Sequence, residues 1–117
     1  MDYNDATTLH FDHPGDPAPP ASAALTTTEV WRDRASGTAV QWLAWQAPVT
    51  RVSFRALGCP HVLAACARWC QILNAQMPVP DVAAMMRDLA VPAEKRGRIL
   101  LVHDALGTLL QNLDADA

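Results

Sequence analysis

The chain is poor in charged residues and has no excess of basic ones. Only 18% of its 117 residues are charged, and the formal net charge is −3. The densest basic run, Lys95-Arg96-Gly97-Arg98, is short and has no aromatic neighbours on which bases would stack. We therefore expect no nucleic-acid partner.

Long hydrophobic runs are also lacking. Every apolar stretch is interrupted by Arg, Gln, His or Asp well before the roughly 20 residues that a membrane helix needs. The first residues, Met1–Asp5, are acidic and do not show the basic and apolar segments of a secretory signal. The sequence thus predicts no membrane span and a cytoplasmic location.

Cysteine is scarce, with only Cys59, Cys66 and Cys70. An odd number in a reducing compartment argues against a disulfide framework. Cys66 and Cys70 share the apolar face of a predicted helix, which favours core packing over metal binding. Cys59 lies two helical turns earlier, roughly 10 Å along the axis, so it cannot share one metal ion with them.

What the sequence has in quantity is apolar residues, which make up 50% of the chain. This is enough for a packed core, and the length predicts one domain over residues 1–117. Residues 1–24 hold clustered Pro, Gly and Asp, which predict a short helix or turn near Asp5–Phe11 and a proline-rich connector.

Three segments then have strand-like patterns. Leu25–Trp31 is rich in β-forming residues and suits an edge strand. Thr38–Gln46 is apolar on both faces, which predicts a central strand covered on each side, with Trp45 as an exposed interface anchor. Arg51–Leu57 alternates between apolar and polar residues. Together they predict a three-stranded antiparallel sheet.

The second half has helical periodicity. One helix begins directly after Cys59 and ends before Met77, Asp81 caps a short helix over Val82–Leu89, and Pro92 opens a long one over about Ala93–Leu113. The predicted fold class is α+β: a three-stranded antiparallel sheet packed against helices, mostly from the C-terminal half.

The segment Gly58-Cys59-Pro60 is the most informative chemically, because it places a thiol where a strand ends and a helix begins. Unpaired amides and the helix dipole favour a thiolate there. His61 is the nearest further ligand, and Cys59, His61 and a hydroxyl would make a sparse zinc or iron site. The simpler alternative is that His61 is solvent-exposed and binds nothing.

Four strings carry a resemblance to a known family. Phe54–Cys59 is similar to the family's Phe-Lys-Thr-aromatic-Gly-Cys strand end, and His10–Pro14 to its His-aromatic-acidic-Asn-Pro segment. Leu89–Lys95 and Ile99–Ala105 resemble its Leu-Pro-Pro-Val-Lys loop and the helix that follows. In these strings and in its order of elements, the chain resembles the IscU/NifU N-terminal type of iron–sulfur cluster scaffold over nearly its whole length.

The resemblance also implies a site. The family binds its cluster or metal with three cysteines, assisted by an Asp and a His. The first cysteine falls on Ser36, the Asp on Thr38, the second cysteine on Cys59 and the third on Arg98, with Gly97 in place of His. Cys59 is thus the one retained thiol, too few for a conventional cluster site, so no cofactor is expected; the alternative is an iron–sulfur cluster, iron or zinc at Cys59. Two interpretations of Arg98 stay open: it stabilises the Cys59 thiolate, or it is a solvated residue of the first helical turn and Cys59 is a structural relic.

The implied partners are a cysteine desulfurase and an Hsp70-type chaperone. The expected function is therefore that of a degenerate scaffold: a non-enzymatic, protein-binding accessory factor in cluster assembly. The alternatives are a persulfide or single-metal carrier that uses Cys59, or a subunit of a homo-oligomer paired through the edge strand. The segment that resembles the chaperone-binding loop comprises Val91, Pro92, Ala93, Glu94 and Lys95.

Overall fold

The computed structural model describes residues 24–46 and 49–115, and the fold is α+β. The predicted helix or turn near Asp5–Phe11 and most of the connector lie outside the described residues. A 3-10 turn, Ala93–Lys95, precedes the last helix. The strands are β1 (Thr26–Thr27), β2 (Trp31–Asp33), β3 (Thr38–Gln46) and β4 (Thr50–Leu57). The helices are α1 (Pro60–Asn74), α2 (Val82–Asp88) and α3 (Arg96–Ala115).

The sheet is antiparallel and has four strands rather than the predicted three. The central position of β3 is confirmed: β4 pairs with it along one side, from Gln46 opposite Thr50 to Ala39 opposite Leu57. On its other side β1 and β2 follow one another, with β2 at the end where β3 begins. The sheet therefore has one long outer strand, β4, and one edge made of two short strands.

The predicted strand Leu25–Trp31 is interrupted at Thr28. The Thr28 amide donates to the Trp42 carbonyl at 3.0 Å, as in a regular ladder. The Trp42 amide, however, donates to the Thr28 hydroxyl at 3.0 Å, and that hydroxyl donates to the Glu29 carbonyl at 2.9 Å. Because a side chain replaces a backbone acceptor, the ladder breaks and the segment forms two short strands.

The core lies between one face of the sheet and the three helices. Val40, Trp42 and Ala44 of β3 are fully buried on this face. The Trp42 indole N–H donates to the Val102 carbonyl of α3 at 3.2 Å, which ties the middle of the sheet to the longest helix. Cys66 and Cys70 have no exposed surface, which confirms that both are core residues.

Trp45 was expected to be an exposed anchor, and this prediction is wrong because only 5% of it is accessible. Trp45 shares a face of β3 with Leu43, which is also buried, so this face of the strand is covered as well. Leu110 and Leu113 of α3 line a cavity near the end of the sheet together with Trp45. No helix in the described part of the chain is both long and apolar enough to cross a membrane.

Candidate functional site

Cys59 occupies the N-cap position of α1. Its backbone is extended, with φ −74° and ψ 166°, and Pro60 follows as the first helical residue. The side chain makes no capping hydrogen bond, while the Cys59 carbonyl accepts from the Leu63 amide at 3.1 Å. The thiol is partly exposed, and it lies at the helix N-terminus, where the helix dipole favours a negative charge.

Gly58 allows β4 to pass directly into α1. A Cβ atom placed on it would lie 3.0 Å from Val62 Cγ1 and 3.1 Å from Val62 Cβ. Val62 is fully buried and its branched side chain has little freedom in a helix. The close approach of the turn to the helix, and so the position of Cys59, requires glycine here.

Gly58→Ala is expected to destabilise the protein by about 1–3 kcal/mol, since the added methyl group overpacks against Val62. Urea unfolding at neutral pH measures the effect. Gly107→Ala is the matched control, because its new Cβ meets nothing within 4 Å and alanine is the better helix former. If the two variants lost equal stability, the packing argument would be wrong.

Ser36 lies on the turn between β2 and β3, and Thr38 is the first residue of β3, beside the end of β4. The Ser36 hydroxyl is 2.9 Å from Asp33 Oδ2 and 2.8 Å from the Thr38 hydroxyl. Asp33 Oδ1 accepts from the Ala35 amide at 3.2 Å, and Thr38 is buried. These oxygens are thus engaged with one another, and neither is a good replacement for a thiolate ligand.

His61 is 2% exposed, so the expectation of a solvent-exposed histidine is wrong. It is buried because the first turn of α1 packs near the start of α3, an arrangement that no local pattern reveals. The pKa of His61 is lowered, first by burial and then by the positive charges of Lys95 and Arg98. Arg98 therefore lies close to the cysteine-bearing turn, and the neutral imidazole is the favoured form.

The lowered pKa of His61 makes stability depend on pH. In the unfolded chain His61 binds a proton as the pH falls through about 6.5, while the folded protein resists protonation. The free energy of unfolding should therefore decrease as the pH falls below that value. Urea unfolding at pH 7.5 and 5.5 should show a smaller decrease for His61→Gln; an identical decrease would contradict this role of His61.

The described side chains do not fit an iron–sulfur cluster. Such a cluster normally takes four thiolate ligands, and this end of the sheet offers only Cys59. Within residues 24–46 and 49–115, no three His, Cys, Asp or Glu side chains are grouped so that they could hold a metal ion. Arg98 adds positive charge near the position where the resemblance implies the third ligand.

The segment that resembles a chaperone-binding loop is only partly accessible. Val91 and Lys95 are buried, whereas Ala93 and Glu94 are exposed and Pro92 is intermediate. The Val91 amide donates to the Met86 carbonyl at 2.9 Å, and the Lys95 amide to the Pro92 carbonyl at 2.9 Å. A partner that binds this segment in an extended form must first open it.

Asp33 was not predicted to belong to the site, and Lys95 was predicted only as part of the segment that resembles the chaperone-binding loop. Asp33 organises the turn that holds Ser36, and the Asp-x-x-Ser spacing typical of such turns was the available signal. The charge of Lys95 lowers the pKa of His61. The only sequence signal for this role was that Lys95 lies one turn before Arg98, where a helix starts.

Comparison with known proteins assigns no family. A scan against models of protein families gives no match, and no curated protein matches the chain. A function can thus be proposed from two observations, which are the sheet packed against helices and the single thiol that follows the end of β4.

Proposed function

We propose that this protein is a non-enzymatic, protein-binding accessory factor of iron–sulfur cluster assembly in the cytoplasm, similar to an IscU/NifU-type scaffold but without a conventional cluster site. One observation carries the proposal. Ser36 and Thr38 lie at the same end of the sheet as the end of β4 that leads to Cys59, the charge of Arg98 acts on His61 two residues further on, and only one of these positions is a thiol. These are the positions at which the resemblance implies ligands.

The charges around Cys59 support a role other than holding a metal. The helix N-terminus favours an anion at Cys59, and the charges of Lys95 and Arg98 act on His61 in the same turn of α1. Positive potential of this kind opposes a metal cation and attracts an anion or an acidic partner surface. A cysteine desulfurase is one of the two partners that the resemblance implies.

The Hsp70-type chaperone is the second implied partner, and Val91–Lys95 is the segment of this protein expected to bind it. To bind in an extended form, this segment must expose Val91 and Lys95, which are buried in the fold. The segment before α3 therefore has to open locally before it can bind. We expect this interaction to be weaker with the folded protein than with a destabilised variant such as Gly58→Ala.

Binding of the purified protein to the desulfurase and the Hsp70 of the same organism, measured by biolayer interferometry, tests the proposal. Binding to the desulfurase should weaken about tenfold in Arg98→Glu, because the charge next to Cys59 is reversed. Arg87→Glu is the matched control, since Arg87 is exposed on α2. Absence of binding to both partners would refute the accessory role.

A second candidate function is transfer of sulfur through Cys59. It is favoured by the partial exposure of this thiol at a helix N-terminus close to Arg98. In this step the Cys59 thiolate attacks the outer sulfur of a desulfurase persulfide. The new bond joins the two sulfurs, the old S–S bond breaks, and the desulfurase cysteine leaves as a thiolate.

Intact mass after incubation with desulfurase and cysteine separates the two candidates. Sulfur transfer predicts a gain of one sulfur atom that is absent in Cys59→Ser and retained in Cys66→Ala. A protein that binds the desulfurase without gaining mass is an accessory factor only.

The remaining alternatives have less support. A single-metal carrier would depend on Cys59 and His61, and His61 is buried beside two cations. An oligomer paired through the N-terminal edge would use β1 and β2, which have two and three residues. Such short edge strands are poor templates for pairing.

A further inference from the structure

Part of the outer edge of β4 has backbone groups that bond to no described residue. Trp42 of β3 directs its N–H and C=O toward Thr28, away from β4. Phe54, which lies opposite Trp42, is therefore in a non-hydrogen-bonded pair, and its own N–H and C=O point away from the sheet. The same alternation applies to Ala56, which lies opposite Val40.

One end of this edge is closed by a side chain. The Val52 amide donates to Asn74 Oδ1 at 2.8 Å, and Asn74 Nδ2 donates to the Val52 carbonyl at 2.9 Å. The Asn74 amide thus replaces a neighbouring strand at this position. No described residue does the same for Phe54 and Ala56, so the edge is open only over the half that leads to Cys59.

The adjoining surface of the sheet combines apolar and cationic side chains. Leu57 is 69% exposed and Val30 is 44% exposed. Arg32 and Arg55 are exposed beside them, and neither forms an ion pair with a described acidic residue. A cavity of about 290 Å³ runs across this surface, and its lining includes Val30, Arg32, Ala39, Gln41, Arg55 and Leu57.

We propose that the open edge of β4, from Phe54 to Leu57, binds an extended acidic segment of a partner protein by strand addition. The backbone of Phe54 and Ala56 supplies the hydrogen bonds, and Arg55 pairs with a carboxylate of the added strand. This interaction goes beyond the proposed function and does not depend on the thiol of Cys59.

Charge selects this occupant over a second copy of the chain. If two β4 strands paired antiparallel through Phe54 and Ala56, Arg55 of one copy would lie directly opposite Arg55 of the other. Like charges at directly opposite positions destabilise a strand pair. A nucleic acid would satisfy the arginines, but it would leave the open amides and carbonyls unused, and this surface has no exposed aromatic residue for base stacking.

Fluorescence anisotropy with a short labelled peptide of alternating Glu and Val tests the proposal. If the peptide adds antiparallel to β4 with Glu opposite Arg55, the Val residues lie opposite Phe54 and Ala56 and direct their amides toward β4, while the Glu amides point outward. N-methylation of the Val amides should therefore abolish binding, and N-methylation of the Glu amides should preserve it. A peptide of alternating Lys and Val should not bind.

Arg55→Glu should weaken binding of the Glu–Val peptide about tenfold, whereas the exposed control Arg87→Glu on α2 should bind like the wild type. Hydrogen exchange at the Phe54 and Ala56 amides should slow when the peptide is bound, in the wild type and in Cys59→Ser alike. Equal binding of the two N-methylated peptides, or of the Lys–Val peptide, would overturn the proposal. Tighter binding of a single-stranded oligonucleotide than of the Glu–Val peptide would also overturn it. So would the detection, by light scattering, of a dimer that is lost in Arg55→Glu.

Discussion

Trp42→Ala is expected to lower the free energy of unfolding by about 3–5 kcal/mol. Trp42 has no exposed surface, lies on the central strand and packs against Phe54 with ring centroids 5.7 Å apart. Its loss leaves a cavity between the sheet and α3, and it also leaves the Val102 carbonyl without the indole donor. Since small domains are stable by only about 5–15 kcal/mol, this single change approaches the limit of folding.

Urea unfolding followed by circular dichroism measures the loss. Trp42→Phe is the matched variant, because it keeps an aromatic ring but lacks the indole N–H, and it should lose less than Trp42→Ala. If the alanine variant does not fold, the phenylalanine variant still tests the account. A loss below about 1 kcal/mol for Trp42→Ala would show that the residue does not anchor the core.

Cys59 is expected to be the only described thiol that reacts readily in the native state. It is partly exposed at the start of α1, whereas Cys66 and Cys70 have no accessible surface. The Cys70 thiol also donates to the Val52 carbonyl at 3.0 Å. A buried thiol reacts only when the structure opens, so an opening free energy of about 5 kcal/mol slows its alkylation by a factor of roughly 1,000 or more.

Intact mass during incubation with iodoacetamide follows this selectivity. One fast addition is expected in the wild type and in Cys66→Ala, and none in Cys59→Ser. All thiols should react at similar rates in urea, which serves as the control for intrinsic reactivity. Fast native alkylation at Cys66 or Cys70 would contradict the burial of these residues and the assignment of Cys59 as the accessible thiol.

Much of the fold could be predicted because its signals are local. The apolar residues on both faces of Thr38–Gln46 predict the central strand, and Asp81 predicts the start of α2 through its capping side chain, which accepts from the Ala84 amide at 2.7 Å. The break at Thr28 could not be predicted from local signals. It occurs because the Thr28 hydroxyl, instead of a backbone carbonyl, accepts the hydrogen bond from the Trp42 amide on the neighbouring strand.

The site could be predicted only in part. Gly58-Cys59-Pro60 contains the information for a thiol at a helix N-terminus, and the structure has Cys59 at the N-cap. The burial of His61 depends on how the start of α3 packs against α1, and periodicity within α1 does not encode that contact. The same tertiary contact brings the charge of Lys95 to the site.

Anaerobic incubation with ferrous iron and sulfide, followed by desalting and visible absorbance, tests the central claim most directly. The claim is that this end of the sheet presents one accessible thiol near cations and so lacks the ligands for a cluster. The account predicts that the wild type and Cys59→Ser give the same spectrum, without cluster absorbance. A visible band in the wild type that disappears in Cys59→Ser would contradict it.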